Sequence, residues 1–318
     1  MIRRIQRATP LGRGVLIGIG DDAAWVRTRA GSCLLTTDLL LERIHFRLDW
    51  TSLYDLGHKS LAVNLSDIAA MGGIPAYALI SLGLPPGFSA SDIDELYRGI
   101  RALAKKNRVA LVGGDTNAAQ SLAISVCVMG DAPFSPVTRA GAKPGDDIYV
   151  TGTLGDSALA LSLLRAGAAR KNDAAVAYLL GRHRRPTPRV TEGAVLAKLG
   201  LARAMIDVSD GLLQDLGHVC AASGVGALVF NESLPLSSAY RTLAAPGATR
   251  YALSGGEDYE LLFCVRPRDR SRLRRAERWF KTSVTRIGQC VEASDGVRVI
   301  DCLGRDVQTP VKGHDHFA

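Results

Sequence analysis

Aromatic residues make up only 6% of the chain, and they do not alternate with the basic ones. That argues against a stacking platform for single-stranded nucleic acid. The six cysteines, Cys33, Cys127, Cys220, Cys264, Cys290 and Cys302, include no CxxC pair. Zinc knuckles and CxxC redox chemistry are therefore not expected. Most of these cysteines sit in apolar runs such as "ISVCVMG" and read as small core residues, which suits a reducing cytoplasm. No apolar run approaches the length of a membrane span. The nucleotide motifs GxxxxGK[ST] and GxGxxG before a helix are absent. There is no fixed-period repeat and no low-complexity segment. The expectation is a protein with neither a membrane nor a nucleic-acid partner.

What is present points to a folded enzyme. The 318 residues suit two domains, and 47% hydrophobic content is enough to bury real cores. The net charge of +8 favours anionic partners, among them phosphorylated small molecules. The opening "MIRRIQRATPLGRG" is rich in arginine and lacks acids, as transit peptides do, but "IRRIQR" reads better as a short surface helix. "SCLLTTDLLL", "AYALISLGL", "VALVGG" and "LAISVCVMG" read as strands, and "LGHKSLAVNLSDIAAMGG" and "SASDIDELYRGIRALAKKN" as helices. Prolines and glycines make 132–147 the expected linker. After it come a strand, turn and helix in "IYVTGTLGDSALALSLL" and the same order in "RAMIDVSDGLLQDLGHVCAASG". "GALVF", "LLFCV" and "GVRVI" add strands. Strands and helices mix without strict alternation, so two α/β or α+β domains are expected, 1–135 and 136–318.

The acids are the informative part. Asp21 and Asp22 in "GIGDDAA", Asp38 in "LLTTDLL", Asp67 in "AVNLSDIAAM", Asp115 in "LVGGDTN", Asp207 and Asp210 in "MIDVSDGLL", and Glu257 and Asp258 in "LSGGEDYELL" lie beside strand ends or inside apolar segments. A carboxylate there is costly unless something positive meets it, and no arginine set neighbours these acids in sequence. Hard divalent cations such as Mg²⁺ are the economical answer, with Thr36, Thr37 and Ser209 as further oxygen donors. Plainer readings stand beside this one. Asp210, Asp156 and Asp92 each precede a helix and could be N-caps. Asp67, read as mid-helix among Leu65, Ile68 and Ala69, cannot be. "RHRRPTPR" reads as a solvated surface run and "TGTLGDS" as a connecting turn. His45 suits a packed core histidine or a site residue equally.

Taken in order, "GIGDDAA", "TTDLLLERIHF", "AVNLSDIAAMG", "VGGDT", "RAGAKPGD", "VTGTLGDSA", "RHRRPTPR", "IDVSDGLLQDLGH" and "ALSGGEDYELLF" resemble the thiamine-monophosphate kinase family of the aminoimidazole-ribonucleotide-synthase-like superfamily. The likeness runs from about Gly18 to the closing "KGHDHF". Before Gly18 the family's Gly-Glu-Phe stretch is missing, and His314 departs from the closing motif. The resemblance implies a two-domain fold whose N-terminal sheets pair in a homodimer, with a cleft between the domains. It implies transfer from ATP to thiamine monophosphate in the cytoplasm. By motif position, Asp22, Thr36, Thr37, Asp38, Asp67, Asp115, Asp207 and Asp210 resemble the family's magnesium ligands. The resemblance also implies that Asp38, Asp67 and Asp210 stand at the reacting centre. Tyr97, Gly114, Asp115, Arg139 and Ser209 resemble the nucleotide contacts, and His45, Glu257 and Phe317 the thiamine phosphate contacts. Within the Asp21–Asp22 pair, Asp21 is expected to shape the turn and Asp22 to face metal. The alternatives are another ATP-dependent enzyme of the superfamily, such as an aminoimidazole ribonucleotide synthase, and a non-catalytic nucleotide-binding homologue. Selenophosphate synthesis is disfavoured because no cysteine precedes Asp21.

Overall fold

β-Branched and apolar residues in "GSCLLTTDLLL" give β3, Gly31–Leu41, the strand that carries Thr36, Thr37 and Asp38. The computed structural model describes residues 6, 11–29, 31–169, 173–245 and 247–308. Among them, β3 joins β1 (Val15–Ile17), β2 (Ala24–Thr28), β4 (Ile74–Leu84), β5 (Ala110–Ala118) and β6 (Ala123–Asp131) in one sheet. Its order is β1-β2-β3-β6-β4-β5, with β4 and β5 parallel. A second sheet runs β12-β9-β11-β7-β10-β8. It is built from β7 (Asp147–Thr151), β8 (Ala202–Asp207), β9 (Val225–Phe230), β10 (Leu261–Val265), β11 (Val284–Glu292) and β12 (Val297–Ile300). Residues 132–146 between the sheets form neither helix nor strand. The surface helix expected in "IRRIQR" lies, but for Gln6, outside the described residues.

The helices are α1 (Leu53–Ala70), α2 (Ala90–Asn107), α3 (Asp156–Arg165), α4 (Ala174–Arg184), α5 (Val190–Lys198), α6 (Leu212–Ser223), α7 (Ser238–Leu243), α8 (Arg250–Ser254) and α9 (Arg270–Ala276). Helix α1 is buried on nearly every side, including Lys59, Ser60, Asn64 and Ser66. A helix with no wet face is a core element, so its polar residues need internal partners. Ser52 caps it by accepting the Asp55 N–H. Two glycine contacts clamp it. A Cβ on Gly57 would lie 2.0 Å from the Leu96 carbonyl of α2, and one on Gly193 of α5 would lie 2.0 Å from the Ala69 carbonyl. Only glycine permits such backbone approach. Because α5 belongs to the C-terminal half, α1 is held by both halves.

The first sheet covers α1 with one face and, among the described residues, leaves the other open. Cross-strand rows Leu35–Met129–Tyr77, Thr37–Cys127–Leu79 and Leu39–Ser125–Ser81 line that open face. Leu39, Tyr77 and Leu79 are 51%, 45% and 44% exposed.

The cap assignments need correction. Ser89 caps α2, and Asp92 is the third residue of its capping box. Asp156 is fully buried and accepts from the Thr153 and Ser237 hydroxyls (2.6 and 2.5 Å). The N–H groups opening α3 are met from a distance by Asp258, which accepts from Gly155 at 2.6 Å. Asp67 lies in the last turn of α1 rather than mid-helix, and its side chain accepts from Thr36 on the sheet. Among the described residues, no helix is long and apolar enough to cross a membrane.

Candidate active site

Carboxylates from three separate elements meet in a cleft of about 1450 Å³ between the halves. Asp22 follows the turn before β2, Asp67 lies in the last turn of α1 and Asp207 ends β8. Their oxygens lie within 4.8 Å of one another. Each is held. Arg139 donates to Asp22 at 2.8 Å, the Thr36 hydroxyl to Asp67 at 2.5 Å and the Ser66 hydroxyl to Asp207 at 2.6 Å. Asp38 borders the same cleft, its N–H donating to Asn64 Oδ1 at 3.0 Å. Asp21 shapes the turn, accepting from the N–H groups of Asp22 and Arg139 (3.0 and 3.2 Å).

Burial pushes Asp22 up to about 7 and Asp38 and Asp207 up to about 6. Burial, with the charges of Asp38, Asp207 and Asp22, carries Asp67 well above the usual carboxylate range. Arg139 pulls Asp22 and Asp207 back but cannot balance the whole cluster. Converging oxygen donors that resist ionising together fit a hard divalent cation.

A second group, Asp210, Asp215 and His218, also has ligand atoms within 4.8 Å of one another. Asp215 accepts the N–H groups of Ser209, Asp210 and Gly211 at 3.1, 3.1 and 3.0 Å. It therefore does the capping considered for Asp210, whose carboxylate borders the cleft and accepts from Gln214 at 3.0 Å.

At another part of the cleft the chain is bent against its preference. Glu257 and Tyr259 have φ of 66° and 51°, a region costly for residues with a side chain. Hydrogen bonds to the segment before α6 hold them there, Glu257 N–H to Ser209 O (2.7 Å) and Tyr259 N–H to Val208 O (2.8 Å). Both residues face the cleft. Lys59 of α1 reaches Glu257 at 2.8 Å and His183 reaches it at 3.3 Å. Burial and Lys59 push His183 down to about 3, so its ring is neutral. Burial opposes ionisation of Glu257, yet its carboxyl is held below the usual range, with Lys59 the chief opposing charge. His45 accepts the Leu41 N–H on Nδ1 (3.0 Å), which puts the proton of its neutral ring on Nε2.

"RHRRPTPR" is not a solvated run. Arg182 and Arg189 converge on buried Glu260 at 2.7 and 2.6 Å, with the Thr151 hydroxyl at 2.6 Å. The neighbours 257 and 259 face the cleft while Asp258 and Glu260 anchor behind it. No arginine neighbours the singled-out acids in sequence, yet Arg139 reaches Asp22 from 117 residues away, as Arg182 and Arg189 reach Glu260.

Asp22, Thr36, Thr37, Asp38, His45, Asp67, Arg139, Asp207, Ser209, Asp210 and Glu257 thus border one cleft. The Thr37 hydroxyl donates to the Val126 carbonyl (3.1 Å) rather than joining the carboxylates. Tyr97, Gly114 and Asp115 stand apart from the cleft. Tyr97 is half-buried in α2. Asp115 is exposed on the edge strand β5, three strands from β3. Phe317 and the closing "KGHDHF" lie outside the described residues. Sequence reasoning passed over Lys59, His183, Tyr259 and Asp215. A signal existed for Lys59, since 59, 63 and 67 share one helical face with Asp67.

Two family models match the chain, "AIR synthase related protein, N-terminal domain" over 20–132 and its C-terminal domain over 143–301. The thiamine-monophosphate kinase of Escherichia coli strain K12 is 42% identical over 317 residues, covering 96% of this chain and 93% of the relative. The chain belongs to the thiamine-monophosphate kinase family. Two solved members of that family superpose closely. The enzyme of Stenotrophomonas maltophilia K279a has a TM-score of 0.81 at 43% identity, covering 94% of this chain and 95% of that one. AaThiL, solved as a complex with AMPPCP and TMP, has a TM-score of 0.83 at 35% identity, covering 98% and 94%.

Proposed function

We infer that the chain transfers the γ-phosphoryl group of ATP to thiamine monophosphate, giving ADP and thiamine diphosphate. The observation that carries this is the Asp22–Asp67–Asp207 cluster in an interlobe cleft, in a chain that aligns nearly end to end with thiamine-monophosphate kinases. The acceptor is a phosphate monoester whose second pKa is about 6. Near neutral pH it is already a dianion, so no base need deprotonate it. An acceptor oxygen forms its bond to the γ-phosphorus as the β–γ bridging bond breaks, and ADP leaves with that electron pair.

The difficulty is charge, because two polyanions must meet in line. Asp22, Asp67 and Asp207, with Asp38, Asp210 and the hydroxyl oxygen of Thr36, would hold Mg²⁺, which when bound screens the phosphates; Thr37, turned to the Val126 carbonyl, takes no part. Arg139 supplies a fixed cation beside Asp22. Ser209 would orient the nucleotide, and His45 Nε2–H and Glu257 the thiamine moiety. The direct test incubates purified protein with ATP, Mg²⁺ and thiamine monophosphate and quantifies ADP and thiamine diphosphate, expected in equal amounts. Turnover with a different phosphorylated acceptor alone would favour a sister enzyme. ATP binding without turnover would favour the non-catalytic reading.

The metal reading has a consequence for stability. These carboxylates bind protons more tightly folded than unfolded. Their contribution is present at low pH and is lost as pH rises through about 6 to 7. A bound cation competes with those protons. The Mg²⁺-induced rise in Tm is therefore expected to grow from pH 5.5 to pH 8. A rise of constant size across that window would count against Mg²⁺ at this cluster.

In the same reading the protein is a cytoplasmic homodimer. Domain 1–135 pairs through the open sheet face and 136–318 builds the other cleft wall. Asp115 shares the outward row of Leu39, Ser125 and Ser81, which sets it and neighbouring Gly114 at the seam, where nucleotide and metal contacts would involve both copies. Leu79→Asp should give monomers in sedimentation. A dimer of unchanged affinity would remove this face from consideration.

A further inference from the structure

Lys59 has no part in the transfer just described, yet it borders the cleft and is only 4% exposed. Its ammonium lies 2.8 Å from Glu257 Oε1, across the junction of the two halves. An ammonium carries three N–H donors, and one contact with Glu257 accounts for one of them. The other Glu257 oxygen faces His183 at 3.3 Å, and His183 Nδ1 in turn lies 2.9 Å from the Ser157 hydroxyl. The wall therefore presents a hydrogen-bond donor, Lys59, beside an acceptor, Glu257, both fixed by buried neighbours.

Distance gives this pair a purpose. Lys59 and Asp67 are eight residues apart on one face of α1, about 12 Å along the axis. An extended thiamine monophosphate with its phosphate near Asp67 carries its aminopyrimidine ring that far. The edge of a 4-aminopyrimidine offers an exocyclic N–H donor next to a ring-nitrogen acceptor, the complement of the wall. We propose that Lys59 donates to that ring nitrogen while Glu257 accepts from the amino group, so that the pair selects an aminopyrimidine. The inference rests on the function proposed above. A 4-oxo pyrimidine reverses both atoms. Its carbonyl meets the Glu257 carboxylate and its ring N–H meets the ammonium, so acceptor faces acceptor, donor faces donor, and neither contact forms.

The experiment compares thiamine monophosphate with oxythiamine monophosphate, the 4-oxo analogue, on the wild type, Lys59→Met and Lys59→Gln. The wild type is expected to prefer the amino acceptor by roughly 10²-fold or more in kcat/KM. Lys59→Met should raise KM for thiamine monophosphate at least about tenfold, leave KM for ATP within about twofold and shrink the preference at least about tenfold. Lys59→Gln, which keeps a donor, should recover part of it. Equal rises in both KM values, or an intact preference in Lys59→Met, would make Lys59 a strut between the halves and overturn the proposal. Should Lys59→Met not fold, the wild type still decides, because equal use of the two acceptors refutes selection by this edge. A wild type inactive on thiamine monophosphate but active on another acceptor refutes the parent function, and this inference with it.

Discussion

Asp67→Asn is expected to lower kcat by about 10³-fold, roughly 4 kcal/mol of transition-state stabilisation, in a protein that remains folded. The separation of the two effects follows from the setting of this residue. Burial and three neighbouring carboxylates already drive Asp67 toward its neutral form in the metal-free protein. Asparagine has nearly the same shape, can still accept from Thr36 and removes a like charge from the cluster. The metal-free Tm should therefore hold or rise, while the Mg²⁺-induced gain shrinks. Turnover should fall because the cleft loses a negatively charged oxygen donor where phosphate charge must be screened. Asp92→Asn, in the exposed capping box of α2, is the control and should leave kcat unchanged. A folded Asp67→Asn variant with wild-type kcat and an unchanged response to Mg²⁺ would remove Asp67 from the site.

Free thiamine is expected to be a poorer acceptor than thiamine monophosphate by roughly 10⁴-fold or more. The monophosphate arrives ionised and brings oxygens for the cations held by the carboxylates. The thiamine hydroxyl ionises far above neutrality and needs a base beside it. Of the three cleft histidines, His218 stands with the carboxylates of Asp210 and Asp215, and the other two offer little help. His183 is neutral and engaged with Ser157 and Glu257, and His45 already accepts the Leu41 N–H on Nδ1, so Nε2 is protonated. The clustered carboxylates repel one another, are offset only in part by Arg139 and in this reading are taken up by Mg²⁺. Product formation from each acceptor at matched ATP and Mg²⁺ measures the ratio. Thiamine diphosphate made from free thiamine in one step, at a comparable rate, would require a different mechanism.

The fold was legible where local pattern and burial agree. β3, α1, α2 and β6 follow from alternation, helical periodicity and caps. Strand β11 escaped because Arg286 and Gly288 interrupt its alternation, and the pairing itself shifts register there. The acids of the cleft stood out because a carboxylate in an apolar segment asks for an explanation wherever the chain later puts it. Their partners did not, since Arg139 lies 117 residues from Asp22 and Arg189 lies 71 from Glu260. "RHRRPTPR" shows the limit plainly. As a local run it resembles a wet surface, and only the folded sheet reveals the buried carboxylate that gathers it. The left-handed conformations of Glu257 and Tyr259 were equally hidden, because nothing in "GGEDYE" departs from an ordinary strand entry.

Helix α1 is both the buried centre of the molecule and a wall of the cleft, closed in by Gly57 and Gly193 on backbone carbonyls. Many folds keep a reactive surface on loops whose local unfolding is cheap, so that activity can drift while the scaffold stays intact. Here no such division is available. Amide protons along Val63–Ala70 can exchange only when much of the molecule opens, and they should be among the last to do so. Adaptive change in this protein is thereby directed toward the rim, where a substitution alters binding without disturbing the centre that everything else is built on.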